Sequence, residues 1–250
     1  MSKSRNSGKA IPLRRGGKRK SVMPLELPES EHAFRLLWEG LERVEREVPP
    51  RRIPRTVFFG SARVDPDDPV YAEYRDMSCE ITANGFDVVT GGGPGLMTAV
   101  NEGAMMGIKK NPRAWSHGVC IKQVNREEPP NNFLKRAYFH GLLLTRMHQF
   151  IRLGWFGAFI IGEDAGFGTD VERGLIHQLI QLDHMRREVP LIGVGEMWME
   201  HAAWAKKWII DRGFADPNDG KIMTCVPKAM DAVPIVLEAC RRTRAARATG

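Results

Sequence analysis

Short apolar runs alternate with longer amphipathic stretches along most of this chain. The runs are RTVFF from Arg55, FDVVT (86–90), GVCIKQV (118–124), GAFIIG from Gly157, VPLIGVG from Val189 and IMTCV from Ile222. They are short, rich in β-branched and aromatic residues and little interrupted by polar positions, the pattern of strands buried on both faces of a parallel sheet. Helix-period segments lie between them: YAEYRDMSCEITANG (71–85) stopped by Gly85, GGGPGLMTAVNEGAMMG (91–107) as a glycine turn opening a helix, and residues 139–153. TDVERGLIHQLIQLDHMRR (169–187) and MWMEHAAWAKKWIIDRG (197–213) follow in the same way, and Met230 to Arg242 supply a last helix that Pro234 should kink or delay. A leading helix is expected over 30–48, with Ser30 as cap and Phe34, Leu37, Trp38, Leu41 and Val44 as its apolar stripe. NREEPPNNFLK (125–135) is a polar, Pro-rich loop. Strand–helix alternation of this kind predicts an α/β fold, a mostly parallel sheet with helices on both faces, in a single domain over 24–242.

Charge modifies that picture at the ends. Eight of the 37 Lys and Arg fall in residues 1–23, where there is no acid, so the remaining 29 face all 30 Asp and Glu and the body is near neutral. A basic arm with almost no apolar residues cannot offset its ordering entropy and is expected to be disordered. It would suit nucleic acid or another acidic partner, or serve as a solubilising tail. A shorter basic tail is expected at 243–250. No apolar run approaches the roughly 20 residues of a membrane span and no secretory leader is visible, which predicts a soluble cytoplasmic protein. The four cysteines, at 79, 120, 225 and 240, have no metal-ligand spacing and read as free, buried thiols.

The candidate chemistry lies at turns that follow strands. Gly60 and Ser61 end the first run, and Gly91, Gly92, Gly93, Pro94 and Gly95 stand between the second and its helix. Absent side chains there let backbone amides approach an anion, and helix starts attract negative charge. A third turn, GEDAGFGTDVE (162–172), offers Gly166, Phe167, Gly168 and Thr169 at a helix start, yet places Glu163 and Asp164 beside them. Carboxylates close to a phosphate are unfavourable by about 1 kcal/mol each even in water.

FFGSAR (58–63), TGGGPGLMTAVNEGA (90–104), EEPPN (127–131), FHGLLLTRM (139–147) and GFGTDVE (166–172) together resemble successive landmarks of the LONELY GUY family, also called lysine decarboxylase-like. The resemblance covers about residues 55–210. It implies a Rossmann-like fold, a homodimer with its site near the subunit interface, and hydrolysis of nucleoside 5'-monophosphates to a free base and ribose 5-phosphate, without metal or redox cofactor. It also implies that Arg146 and Glu172 are catalytic, and that Gly60, Ser61, Gly92, Gly93, Pro94, Gly95, Met97, Gly166, Phe167, Gly168 and Thr169 hold the substrate and its phosphate. A carboxylate such as Glu172 would stabilise oxocarbenium character at the sugar or orient water, and Arg146 would bind phosphate or ribose with its planar fork.

Four positions depart from the family pattern. Asp164 and Ala165 replace a Pro-Gly pair, Met147 a lysine and Thr98 a glutamate. Two extra residues before the next strand also leave Arg152 as a competitor for the role of Arg146. A non-hydrolytic nucleotide or molybdenum-cofactor carrier of the same superfamily is therefore the alternative function.

Overall fold

The computed structural model describes residues 30–47, 53–122, 129–163 and 165–248. The basic arm, Glu127 and Glu128 of EEPPN, and Asp164 lie outside the described residues. In chain order the elements are α1 (Ser30–Glu47), β1 (Arg55–Phe59), α2 (Pro69–Ala83), β2 (Asp87–Thr90), α3 (Leu96–Lys110), β3 (Ser116–Ile121), β4 (Arg136–His140) and α4 (Leu143–Gly154). β5 (Ala158–Ile161), α5 (Phe167–Gln181), β6 (Leu191–Val194), α6 (Glu196–Ala205), β7 (Met223–Val226) and α7 (Ala229–Ala248) complete it. A turn of π-helix, Lys206–Ile210, extends α6.

The strands form one seven-stranded sheet in the order β4-β3-β2-β1-β5-β6-β7, and every pairing is parallel. This is a Rossmann-like α/β fold. Alternation along the strands sends side chains to two separate cores. Phe58, Ala158, Ile160 and Val88 pack with α2, α3 and α7 on one face. Val57, Phe59, Phe159, Ile161 and Val89 pack with α4, α5 and Trp198 of α6 on the other. Burial on both faces is why the strand sequences carry no polar alternation. At roughly 1.5–3 kcal/mol for each large apolar side chain, these two layers dominate the favourable side of folding.

The α2–α3 contact depends on a missing side chain. A Cβ on Gly103 would collide with the Arg75 carbonyl oxygen, so glycine permits these helices to pack backbone against backbone.

Several boundaries differ from expectation. β3 is described from Ser116 to Ile121 rather than over 118–124. Residues 136–140 form an edge strand, so the helix expected from 139 begins instead at Leu143. Helix α5 stops at Gln181, just before Asp183 turns left-handed with φ 55°. Helix α7 begins at Ala229, contains Pro234 and continues through the segment expected as a basic tail to Ala248. The stripe expected on α1 is only partly buried: Val44 is enclosed, while Phe34 and Trp38 are exposed. On α5, Ile176 and Ile180 are buried and Leu175 and Leu179 pack against the same core, leaving Leu182 exposed. The apolar circumference of that helix is thus largely satisfied within the chain. The cysteines are free thiols, Cys120 and Cys240 buried, Cys79 and Cys225 half-buried. Among the described residues no helix is long and apolar enough to cross a membrane.

Candidate functional site

The strand order reverses between β1 and β5, and in open parallel sheets the crevice outside the carboxyl ends at such a point receives the ligand. A cleft of about 960 Å³ opens there, between the turn after β1, the turn after β2, the start of α5 and the side of α6. Local sequence shapes each wall. Gly95, with φ 68°, is held against Ser61 and Ala62: a Cβ would fall 2.6 Å from the Ala62 carbonyl carbon, and Leu96 N–H donates to Ser61 O at 2.9 Å. That close approach locks the β2 turn onto the β1 turn.

Arg146 rises from α4 into the cleft floor. Its Nε donates to Val119 O at 2.9 Å, its guanidinium lies 5.1 Å from the Phe150 ring centroid, and its Nη1 stands 3.5 Å from Glu172 Oε1. Gly91 makes room for it, since a Cβ there would sit 2.5 Å from Arg146 Nη2 and 2.7 Å from Met97 Sδ. The competitor Arg152 is turned away: with His148 it holds Glu45 of α1, at 2.7 Å and 2.9 Å.

The pair of Arg146 and Glu172 is enclosed, with side chains 15% and 12% exposed. At 3.5 Å it is longer than a tight charge-assisted hydrogen bond of about 2.7–2.9 Å. Burial therefore outweighs the nearby guanidinium and pushes the Glu172 carboxyl up to about 7. A carboxyl near 7 exchanges its proton readily at neutral pH, as an acid–base group requires.

Helix α5 presents its start to the same space. Its cap, Gly166, makes no side-chain bond to the first-turn amides, so the N–H groups of Phe167, Gly168 and Thr169 are placed as anion donors. Phe167 is 94% exposed at the cleft rim. Asp170 of the same turn is paired with Arg173 at 2.9 Å.

Glu163 resolves half of the difficulty raised by the acidic turn. Its N–H donates to Tyr74 Oη at 3.0 Å, and its side chain packs on Gly195, where a Cβ would fall 2.7 Å from Glu163 Cβ. It is directed toward the start of α6 and is not among the residues lining the cleft. Trp198 Nε1–H fixes this turn by donating to Gly162 O at 2.8 Å.

Of the residues singled out from sequence, Gly60, Ser61, Pro94, Met97, Arg146, Gly166, Phe167, Gly168, Thr169 and Glu172 line the cleft. Gly92, Gly93 and Gly95 are not lining residues and brace it instead. Gly92 N–H donates to Thr90 Oγ1 at 2.9 Å, and Gly93 O accepts from Thr98 Oγ1 and Asn131 Nδ2 at 3.0 and 3.1 Å. Thr98, at a position where the family pattern has a glutamate, thereby stabilises the turn.

Sequence reasoning missed Arg63 and the α6 wall of Met197, Trp198 and His201. Arg63 was visible in the FFGSAR landmark, but the α6 side chains carry no motif. His201 lies between Trp198 and Trp204, at ring-centroid distances of 5.7 and 5.9 Å. Its buried Nδ1 has no partner, and burial lowers its pKa below the ordinary 6.5, favouring the neutral ring. Among the described residues no cluster of His, Cys, Asp or Glu could hold a metal ion.

No protein-family model matches the chain, and no curated protein matches it. Solved structures do. A molybdenum cofactor binding protein from the phototrophic bacterium Rippkaea orientalis aligns at TM-score 0.54 and 14% identity, covering 76% of this chain and 98% of its own. The structural-genomics target TM1055 aligns at 0.53 and 19%, covering 74% and 99%. A molybdenum cofactor carrier protein from Chlamydomonas reinhardtii aligns at 0.50 and 17%, covering 77% and 99%. At these identities the likeness establishes the shared fold.

Proposed function

We propose that the cleft hydrolyses the N-glycosidic bond of nucleoside 5'-monophosphates, releasing a free base and ribose 5-phosphate. The observation that carries this reading is the enclosed pair of Arg146 and Glu172, with the Glu172 carboxyl near 7. The phosphate binds the uncapped amides at the start of α5, and the ribose lies over Arg146 and Glu172. As the bond from C1' to the base nitrogen lengthens, its electron pair leaves with the base, which takes up a proton, and positive charge grows on the sugar. The Glu172 carboxylate stabilises that charge and accepts a proton from the water that adds to C1'. Arg146 holds the carboxylate and the sugar phosphate in register.

Glu172→Gln keeps size and hydrogen bonding while removing the charge. Turnover is expected to fall by about 100-fold or more, the scale of losing one electrostatic stabiliser, with nucleotide affinity changed much less. Wild-type turnover in this variant would overturn the assignment.

A carrier role is favoured by a separate observation: two of the similar folds are described as molybdenum cofactor binding or carrier proteins. In that case the cleft would hold its ligand without cleaving it. Mass spectrometry of small molecules that co-purify with the chain separates the two, since a pterin bound to a protein inert toward nucleotides supports the carrier.

The assembly we propose is a homodimer. Phe167 and Val171 of α5 and Met197 and Trp204 of α6 are exposed, Phe167 and Met197 at the cleft itself, and a second copy would cover them.

A further inference from the structure

A second cavity, of about 510 Å³, opens at the opposite end of the sheet from the cleft. It is lined by Ile53, Gly85, Lys110, Asn111, Arg113 and Arg244, so it sits where the chain enters β1, β2 and β3. Among the described residues it shares no lining residue with the cleft. Its third cation is there because α7 continues as helix past Arg242, bringing Arg244 back to the β2 entrance.

Arg244 is held in place at both ends of its guanidinium. Nη2 donates to Gly85 O at 3.0 Å, and the group lies 4.6 Å over the Phe86 ring centroid. Gly85 is left-handed, with φ 81°, and a Cβ there would fall 2.8 Å from Asn111 Nδ2 and 3.7 Å from Arg244 Nη2. An amide and a guanidinium therefore converge on one backbone position. Lys110 and Arg113 stand exposed at the rim.

The described lining residues include no carboxylate. Acids in the same region are engaged: Glu80 accepts from Asn84 at 3.0 Å, and Glu238 is paired with Arg242 at 3.0 Å. The end of α3 contributes roughly half a negative charge, which the positive charges of Lys110 and Arg244 alone exceed. We propose that this cavity binds a multivalent phosphate, read by charge. Three cations spaced around a cavity of this size match two or three linked phosphates better than one. Ile53 is the one apolar side chain in the described lining, so the described residues offer no lining ring on which a base would stack. The ligand is recognised through its phosphates, either as a small linear polyphosphate or as the backbone of a nucleic acid strand.

Isothermal titration of the full chain at low salt, with tripolyphosphate and separately with a short oligothymidylate, tests this. Lys110→Glu/Arg113→Glu is compared with Lys207→Glu/Arg212→Glu, which changes net charge equally far from the cavity; all variants are checked for unaltered melting. The first double variant is expected to weaken this binding by about tenfold or more, and the control by less than about twofold. Tripolyphosphate binding as tightly as the oligonucleotide identifies a small polyphosphate. Binding of the oligonucleotide alone, with a salt slope reduced by roughly one to two in Lys110→Glu/Arg113→Glu, identifies the strand backbone. Equal losses in the two double variants, unchanged binding in the first, or no binding of either probe by the wild type would overturn the proposal.

Discussion

Replacing Glu172 by glutamine should stabilise the fold, and by an amount that depends on pH. The carboxyl stands near 7 in the folded chain against an ordinary 4.5, because burial penalises its charge by more than Arg146 recovers. Between those values the native state holds a proton that the unfolded chain has released, so wild-type stability declines as pH rises through that window. At 1.36 kcal/mol per pH unit, the full penalty is on the order of 3 kcal/mol above pH 8 and about 1 kcal/mol at pH 5. Glutamine carries none of it. Urea unfolding followed by tryptophan fluorescence should show the variant gaining about 2 kcal/mol over wild type between pH 5 and pH 8.5, at unchanged m-value. A difference between the two proteins that stays constant across this range would refute the buried, raised carboxyl, whatever its catalytic role.

Three further outcomes are expected. With the carboxylate as the proposed working form, wild-type turnover should be lost as pH falls through about 7 and level off above it; a pH profile flat from 5.5 to 8.5 would count against Glu172. Gly103→Ala should gain up to about 1 kcal/mol in helix propensity but lose more by driving a methyl into the Arg75 carbonyl, for a net fall of about 5 °C in melting temperature by calorimetry. Light scattering should give twice the 28.1 kDa chain mass, and a clean monomer at micromolar concentration would remove the proposed pairing across α5 and α6.

The central strands were legible because burial on both faces leaves an uninterrupted apolar run. β4 was not, since an edge strand with Tyr138 and His140 inside and Phe139 outside is short and sits against a helix-period sequence. Periodicity placed α1 but misjudged the burial of its stripe, and it missed the end of α7, which continues past Arg242 so that Arg244 packs on Gly85 and Phe86. The turns were readable as glycine-rich strand exits, but the division of labour among the glycines was not. Gly92, Gly93 and Gly95 look alike in sequence to the lining residues, and only tertiary contacts make them braces. The choice between Arg146 and Arg152 was likewise open until the register of α4 turned one toward Glu172 and the other toward Glu45. The α6 wall stayed hidden because a helix after a sixth strand carries no signal that its side chains face a site built by the first, second and fifth.

Incubation of the purified chain with AMP, GMP, CMP and cytokinin ribotides, with quantitation of free base and ribose 5-phosphate by chromatography, tests the proposed chemistry most directly. Base and ribose 5-phosphate should appear in equal amounts from at least one monophosphate, and not from the matching nucleoside, which lacks the phosphate proposed to bind at the start of α5. Absence of base release from all of these monophosphates by folded protein would contradict hydrolysis.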